Sequence, residues 1–435
     1  MGARTTALSA LIACRKQGAW ADGILKEYIV RDRLDRRDAA LASRLCYGVL
    51  QNRMLLDYEI QTFLHGPIEK LQPVVLDILR FGMYQLRWMD RIPVSAAVNE
   101  AVEQGKKYAN HNAARLINGV LRHAAREGNS LSLPENLSIR YSHPEPLVAL
   151  LRSSVGEDML EPLLRSHNEA PETVIQINPL VSSASEVEQA FQAAGIRLEP
   201  HSWLPDAYLV YGAGSVEGMP LFQEGAFWVQ DPAARLAAMA AGIQPGMDIL
   251  DGCAAPGGKS FAAAMSMNNQ GRVISCDIHP HKIDLIRRGA ERLRIQILQP
   301  ICQDATVYVP AWDQAMDVVL ADVPCSGLGV IRKKPDIRYK DIQSLERLPG
   351  IQLRILDNLS RYVKPGGVLV YSTCTILKRE NEDVAETFLQ QHPAFHLEPF
   401  PVPSGLEAEN QGMLTLYPHL HACDGFFICK LRKNP

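Results

Sequence analysis

Cys325 and Cys374 are the residues of this chain whose setting suits covalent chemistry. Cys325 lies in VVLADVPCSGLGVIRKKPDIRY (318–339), three residues after Asp322, and Cys374 lies in VLVYSTCT (368–375). Each follows an apolar run and then a turn of small or polar residues. That places each thiol where a strand ends and a ligand can reach it. A thiolate there is a nucleophile that splits one hard step into easier ones. A free thiol titrates near ~8.5 and needs cationic help to ionise. Lys259, Arg332, Lys333 and Lys334 are the candidates for that help. Cys253, Cys276 and Cys302 lack the setting and read as small buried hydrophobes.

A second group suits a cofactor. The run LDGCAAPGGKS (250–260) ends a strand in small residues and opens a helix. Small residues let the backbone turn tightly and a ligand approach closely, and the helix start offers free N–H groups. A phosphate loop needs G-x-x-x-x-G-K-[ST], and Cys253 stands where its first glycine belongs. The dinucleotide pattern G-x-G-x-x-G is absent as well, because Gly252, Gly257 and Gly258 have the wrong spacing. Asp277, in VISCDIHPHK, ends the next strand, where an acid can hold ribose hydroxyls. Asp304, in CQDAT, ends the third and could accept from an adenine amino group. Taken singly, either could be a helix cap or turn residue. Together with the turn they point to an adenosine-containing cofactor held without a phosphate grip.

These residues need a scaffold, and the sequence outlines one. Short Val/Ile/Leu-rich runs at Asp248–Cys253, Arg272–Asp277, Met316–Ala321 and Val368–Ser372 alternate with helical stretches. That pattern predicts a parallel, doubly wound sheet buried on both faces, with ligands beyond its strand ends. Residues 1–128 read as all-helical, with Leu76, Leu79, Met83 and Leu86 on one side of a helix over Pro73–Trp88. Gly128 to Pro146 reads as a linker and Leu147 to His167 as helix. A small α/β piece between about Pro171 and Gln223 has strands at Thr173–Ile177 and Tyr208–Tyr211 and a helix over Glu186–Ala194. The expected architecture is multidomain: an all-α bundle (1–140), a small α/β linker domain (141–222) and an α/β Rossmann-like domain (223–435).

Bulk properties narrow the class. The 435 residues hold nine cysteines, odd in number and widely spaced, with no C-x-x-C pair. That argues for a reducing cytosol, against a disulfide framework and against structural zinc. No apolar run is long enough to span a bilayer, and the N-terminus reads as an amphipathic helix, not a signal peptide. Charge is unevenly spread: residues 1–145 hold 20 Lys+Arg against 15 Asp+Glu, and the remainder holds 25 against 33. A basic N-terminal part suggests a polyanion contact there, with Arg31, Arg33, Arg36 and Arg37 as candidates. A solvated face interleaved with Asp32, Asp35 and Asp38 is the competing reading.

CAAPGGK (253–259), Asp277, Asp304, DVPCSGLGVIRKKPDIRY (322–339), YSTCT (371–375) and FWVQDPAAR (227–235) resemble the NOL1/NOP2/Sun family of RNA cytosine-C5 methyltransferases. Upstream, IPVSAAVNEAVEQGKKY (92–108) and INGVLR (117–122) resemble the NusB-type RNA-binding fold. A NusB-like bundle before this catalytic domain is the arrangement of the bacterial RsmB (Sun/Fmu) group, which acts on 16S ribosomal RNA. The resemblance implies a class I methyltransferase using S-adenosyl-L-methionine, with 16S rRNA as partner, no metal, no membrane, a cytoplasmic location and a monomeric state.

It also implies roles. The backbone of Cys253, Ala254, Ala255, Pro256, Gly257, Gly258 and Lys259 would hold the cofactor, with Asp277 on the ribose and Asp304 on the adenine. Asp322 would lie beside the methionine end and the target base. Carbon 5 of cytosine is a poor nucleophile until a thiolate adds to carbon 6. In this family that thiolate belongs to the Thr-Cys motif, here Cys374, while Cys325 assists product release. DNA cytosine-C5 enzymes use the Pro-Cys thiol instead, which here would be Cys325. Two other functions stay open on the residues: the same chemistry on transfer RNA or another RNA, and a non-catalytic RNA-binding factor.

Overall fold

The computed structural model describes residues 2–18, 20–127 and 132–435. They form two compact units, 1–170 with 331–340, and 171–330 with 341–435. The first unit is helical: α1 (Ala3–Gln17), α2 (Ala21–Arg31), α3 (Arg36–Gln51), α4 (Arg53–Thr62), α5 (Pro73–Trp88), α6 (Val94–Tyr108), α7 (His111–Glu127), α8 (Leu137–Arg140), α9 (Glu145–Val155) and α10 (Glu157–Ser166). The expected linker therefore holds a helical turn at α8, and its residues 128–131 lie outside the described ones. The expected helix over 147–167 is two helices, because Gly156 takes φ +79° between them.

α5 is the hub of the bundle. Instead of one apolar side, it buries ten consecutive-range residues from Val75 to Gln85, polar Asp77, Arg80 and Gln85 among them, while Leu76 and Leu86 are only half-buried. Such a helix has neighbours all round, so its polar groups must find partners inside the bundle. Arg80 reaches Asp57 at 2.6 and 2.7 Å and Asp77 at 3.3 Å, and Arg15 reaches Asp77 at 2.8 Å. Gly82 lets α7 approach closely: a Cβ there would stand 2.5 Å from Leu121.

The second unit begins with β1 (Thr173–Ile177), α11 (Ala184–Ala193), β2 (Arg197–Pro200), β3 (Ala207–Tyr211), α12 (Pro220–Gln223) and β4 (Phe227–Val229). These strands form an antiparallel sheet in the order β2-β3-β1-β4. Then come α13 (Pro232–Ala240), β5 (Asp248–Asp251), α14 (Gly258–Ser266), β6 (Arg272–Asp277), α15 (Pro280–Arg292), β7 (Leu298–Cys302), β8 (Met316–Asp322), α16 (Leu348–Ser360), β9 (Val363–Thr373), α17 (Glu382–Gln391), β10 (Phe395–Leu397), β11 (Met413–Leu416), α18 (Pro418–His421) and β12 (Phe426–Lys433).

The large sheet runs β10-β12-β9-β8-β5-β6-β7, with β11 paired to β12. Strands β5 to β9 are parallel to their neighbours, while β10, β11 and β12 add an antiparallel edge. Apolar residues alternate between two cores. In β8, Val318 and Leu320 face one, and Met316, Val319 and Ala321 face the other. Helices cover both faces, which is why these strands read as continuous apolar runs. The strand order reverses between β5 and β8, and a doubly wound sheet binds ligands beyond its strand ends at that point.

Candidate active site

The 252–259 turn hangs from its neighbouring strands. Gly252 N–H donates to the Leu320 carbonyl at 2.9 Å, and Ala254 N–H donates to the Cys276 carbonyl at 2.7 Å. Gly257 takes φ +113°, and a Cβ there would meet the Phe261 ring at 2.4 Å, so glycine is required on both counts. Asp251, wholly buried at the end of β5, accepts from Ser260 Oγ at 2.7 Å, which in turn accepts from Ser275 Oγ at 2.8 Å. This chain ties the first turn of α14 to two strands. Burial pushes the Asp251 carboxyl up to about 7, against the opposing pull of the Ser260 hydrogen bond and Lys259. Gln230 lies beside Gly258, and its amide nitrogen is buried without a hydrogen-bond partner among the described residues.

Asp277 and Asp304 stand at the ends of neighbouring strands. Asp277 is buried and accepts from His279 N–H at 3.0 Å, with Lys282 Nζ at 3.6 Å. Asp304 accepts from Thr306 N–H at 2.8 Å and Thr306 Oγ1 at 2.7 Å, and it lines a narrow cleft with Leu250, Gly252 and Cys276. Cys276 is buried as expected, but Cys302 is a correction: it is exposed, because β7 is the edge strand of the sheet.

Asp322, at the end of β8, accepts at both oxygens. Lys259 Nζ donates at 2.6 Å and Ser372 Oγ at 2.8 Å. The Lys259 side chain is only 8% exposed and its ammonium lies 4.9 Å from the centre of the Phe426 ring. Next to this pair the two candidate thiols meet, with Cys325 Sγ 3.2 Å from Cys374 Sγ. The hydrogen bond with Cys325 lowers the Cys374 thiol below its usual range against the cost of burial, and the Lys259 ammonium helps. Cys325 is pushed well up, by that same hydrogen bond, by burial and by the Glu380 carboxylate. Cys374 is thereby the more acidic of the two thiols. Of the cations offered by the sequence, Lys259 lies in the catalytic unit and acts on Cys374. Arg332, Lys333 and Lys334, the other cations proposed from the sequence, belong to the 331–340 segment of the helical unit.

Two loops hold the thiols, and a buried network stitches them together. Glu380 accepts from Ser326 N–H at 2.9 Å and from Gln352 Nε2 at 3.0 Å. Ser326 Oγ donates to Thr375 Oγ1 at 2.7 Å. Asn381 accepts from Thr373 Oγ1 at 2.6 Å and donates to the Thr375 carbonyl at 3.0 Å. Gly329 N–H donates to the Cys374 carbonyl at 3.0 Å, and a Cβ on Gly329 would sit 1.8 Å from the Gly425 carbonyl oxygen. The sequence reading missed Glu380, Asn381, Asp251 and Gln230. Glu380 and Asn381 open the run EN-ED at the start of α17, which looks like a solvated helix end. Asp251 carried a signal, a carboxylate within an apolar strand.

The model for 16S rRNA methyltransferase RsmB/F matches residues 238–432, that for the NusB family matches 1–126, and a Methyltr_RsmF/B-like ferredoxin-like domain matches 143–217. Over 442 residues the chain is 37% identical to the probable ribosomal RNA small subunit methyltransferase B of Bacillus subtilis, covering 99% of this chain and 98% of that protein. The chain belongs to the RsmB family. It is also 33% identical to the Synechocystis sp. relative of the same description, over all of both chains. With ribosomal RNA small subunit methyltransferase B of Vibrio cholerae it shares 34% identity, over 92% of this chain and 90% of that one. The crystal structure of PH0851 shares the fold, with a TM-score of 0.81 at 24% identity over 98% of each chain. NSun6 from Pyrococcus horikoshii with SFG shares it over 67% of this chain and 98% of that one, with a TM-score of 0.60 at 19% identity. The expected fold class, a NusB-like bundle, a small α/β domain and a Rossmann-like methyltransferase, is borne out, and membership of the RsmB family makes the chain a methyltransferase.

Proposed function

We propose that this RsmB-family methyltransferase moves a methyl group from S-adenosyl-L-methionine to carbon 5 of a cytosine in 16S rRNA, by way of a covalent bond between Cys374 and carbon 6. The observation that carries the reading is the thiol pair, 3.2 Å apart, beside the Lys259–Asp322 pair. Transfer RNA or another RNA is the second substrate class, kept because nothing at the thiol site selects one RNA over another. The reading includes a cytoplasmic, monomeric enzyme. Among the described residues there is no cluster of metal ligands and no helix long and apolar enough to cross a membrane.

The residues fit the cofactor. The buried Gln230 amide nitrogen beside Gly258 has no hydrogen-bond partner among the described residues and so has a donor to offer a ligand at this turn. Residues 253–259 would hold the methionine portion, Asp277 the ribose hydroxyls and Asp304 the adenine amino group. When bound, this group supplies an electrophilic methyl on a sulfonium.

The chain's own residues do the rest. The Cys374 thiolate adds to carbon 6, and the carbon 5–carbon 6 π electrons shift toward carbon 5 and ring N3. Lys259 and Asp322 stand where charge develops on the base, and a fixed ion pair meets such charge without reorganising. After carbon 5 has taken the methyl, its proton leaves to water, the double bond re-forms and the Cys374–carbon 6 bond breaks. Cys325, still protonated, donates a hydrogen bond to the departing sulfur. The target base must be unpaired or flipped to reach two half-buried thiols.

The test is incubation with methyl-labelled S-adenosyl-L-methionine and unmodified 16S rRNA, for wild type, Cys374→Ala and Cys325→Ala. Expected are label in 5-methylcytosine with wild type, none with Cys374→Ala, and with Cys325→Ala an RNA–protein adduct that survives denaturation. Loss of the adduct in Cys325→Ala with its retention in Cys374→Ala would swap the roles. Label in transfer RNA alone would replace the substrate.

A further inference from the structure

The sequence offered one basic cluster on the bundle, at Arg31–Arg37, and the structure weakens it. Arg31 is held by Asp32 through two hydrogen bonds, at 2.8 and 3.0 Å, and Asp35 caps α3 through Asp38 N–H. Three aspartates stand among the four arginines there, and one of them pairs with Arg31.

The exposed side of α7 differs. Arg115, Arg122 and Arg126 recur at i, i+7 and i+11, one stripe of the helix, about 10.5 and 6 Å apart along its axis. All three are exposed, and their hydrogen bonds go to neutral groups. Arg115 donates to the Asn112 side chain, Arg122 to Asn118 Oδ1 at 2.9 Å and Arg126 to the Arg122 carbonyl at 3.3 Å. No ion pair joins any of the three to a carboxylate among the described residues. The acid on this face, Glu127, lies 3.8 Å from His123.

Beside the stripe runs a groove of about 400 Å³ between α7 and the chain joining α4 to α5. Phe63 and His123 form its aromatic wall, with ring centroids 5.0 Å apart, and Leu116, 38% exposed, lies along it. Lys70 and Arg126 stand at its rim, and none of its lining residues is acidic. Gly119 opens the groove, since a Cβ there would touch nothing within 4 Å. An aromatic and apolar seat edged by cations without carboxylate partners suits a flat, uncharged base whose flanking phosphates are anionic. A protein partner would need acidic side chains set at the same spacing, and nothing in the groove requires them.

We propose that this groove seats an unpaired base of a single-stranded RNA segment, with the neighbouring phosphates on Arg115, Arg122 and Arg126. The proposal rests on RNA being the substrate and names the surface that grips it away from the thiols.

The test measures binding, not methylation: fluorescence anisotropy of the full chain with a labelled single-stranded fragment of 16S rRNA, from 50 to 300 mM salt, without cofactor. Each of Arg115→Ala, Arg122→Ala and Arg126→Ala should weaken binding roughly threefold to tenfold and flatten the log–log salt slope by about 0.7. Arg122→Lys should restore the slope. Gly119→Leu, which adds helix propensity while filling the groove, should weaken binding about tenfold without changing the slope. Unchanged affinity and slope in the three alanine variants, with native melting, would overturn the proposal. So would loss carried by Arg33→Ala and Arg37→Ala instead. If the α7 variants lose binding while wild type methylates no cytosine, this surface stands and the catalytic reading fails.

Discussion

In the helical unit, buried charge meets opposite charge or a ring of carbonyl acceptors. Arg80 lies between Asp57 and Asp77, and Arg15 completes Asp77. Arg338 is wholly buried, and its terminal nitrogens donate to the carbonyls of Gln51, Tyr141, Ser142 and His167 and to the Asn168 side chain. Burial brings its guanidinium down to about 10, still charged at neutral pH. In the catalytic unit, Asp251, Glu380 and the two thiols meet hydroxyls, amides and each other. Asp251 has Ser260, Glu380 has Ser326 and Gln352, and Cys374 has Cys325. Fixed pairs hold helices in place. Groups whose partners are neutral keep protons that can move, and covalent chemistry needs such protons.

The largest effect that bears on this contrast is structural. Arg338→Ala leaves several buried carbonyls without a donor and should cost at least about 3 kcal/mol of stability. Thermal melting of the full chain checks it. An unchanged Tm would break the contrast, because the helical unit would then not depend on its buried cation.

Asp251→Asn addresses the other unit. A folded carboxyl near 7, against 3.8 when unfolded, contributes stability that is complete below about pH 4 and is lost as pH rises through about 7. The difference is on the order of 4 kcal/mol. The asparagine variant should therefore flatten Tm against pH across that window, and a slope equal to wild type would sink the reading of Asp251 as a buried, displaced acid.

Glu380→Gln keeps the shape but weakens the grip on Ser326 N–H. It should lower kcat roughly tenfold with little change in KM for the RNA, since a charged acceptor is worth about 1.4 kcal/mol more than a neutral one. A change confined to KM would place Glu380 in substrate binding instead. The smallest effect is a titration. Cys325→Ala removes the hydrogen bond that lowers Cys374, so the acid limb of the adduct-formation rate should move to higher pH. A limb that stays put would assign the ionisation to Lys259 alone.

Much of the catalytic unit is legible in the chain because its constraints are local. Gly257 is written by a backbone conformation and the alternating strands by a period of two, and the run at 250–260 shows the turn without any partner. The bundle is legible by its helical period, except at α5. Its all-round burial depends on how many neighbours surround it, and no single helix records that. Glu380 and Asn381 were hidden for a similar reason: their partners Ser326 and Thr373 come from a loop 54 positions away and from the strand end itself.

The sequence alone determined which residues could be nucleophile, cofactor turn and strand-end acid, because those follow from residue type and local geometry. Only the tertiary structure decided that the two thiols meet, that Lys259 lies beside them, and that residues 331–340 belong with the helices. Each of these depends on burial and on distances between segments far apart in the chain, and an electrostatic interaction is set by distance and solvent exclusion, which spacing along a sequence does not fix.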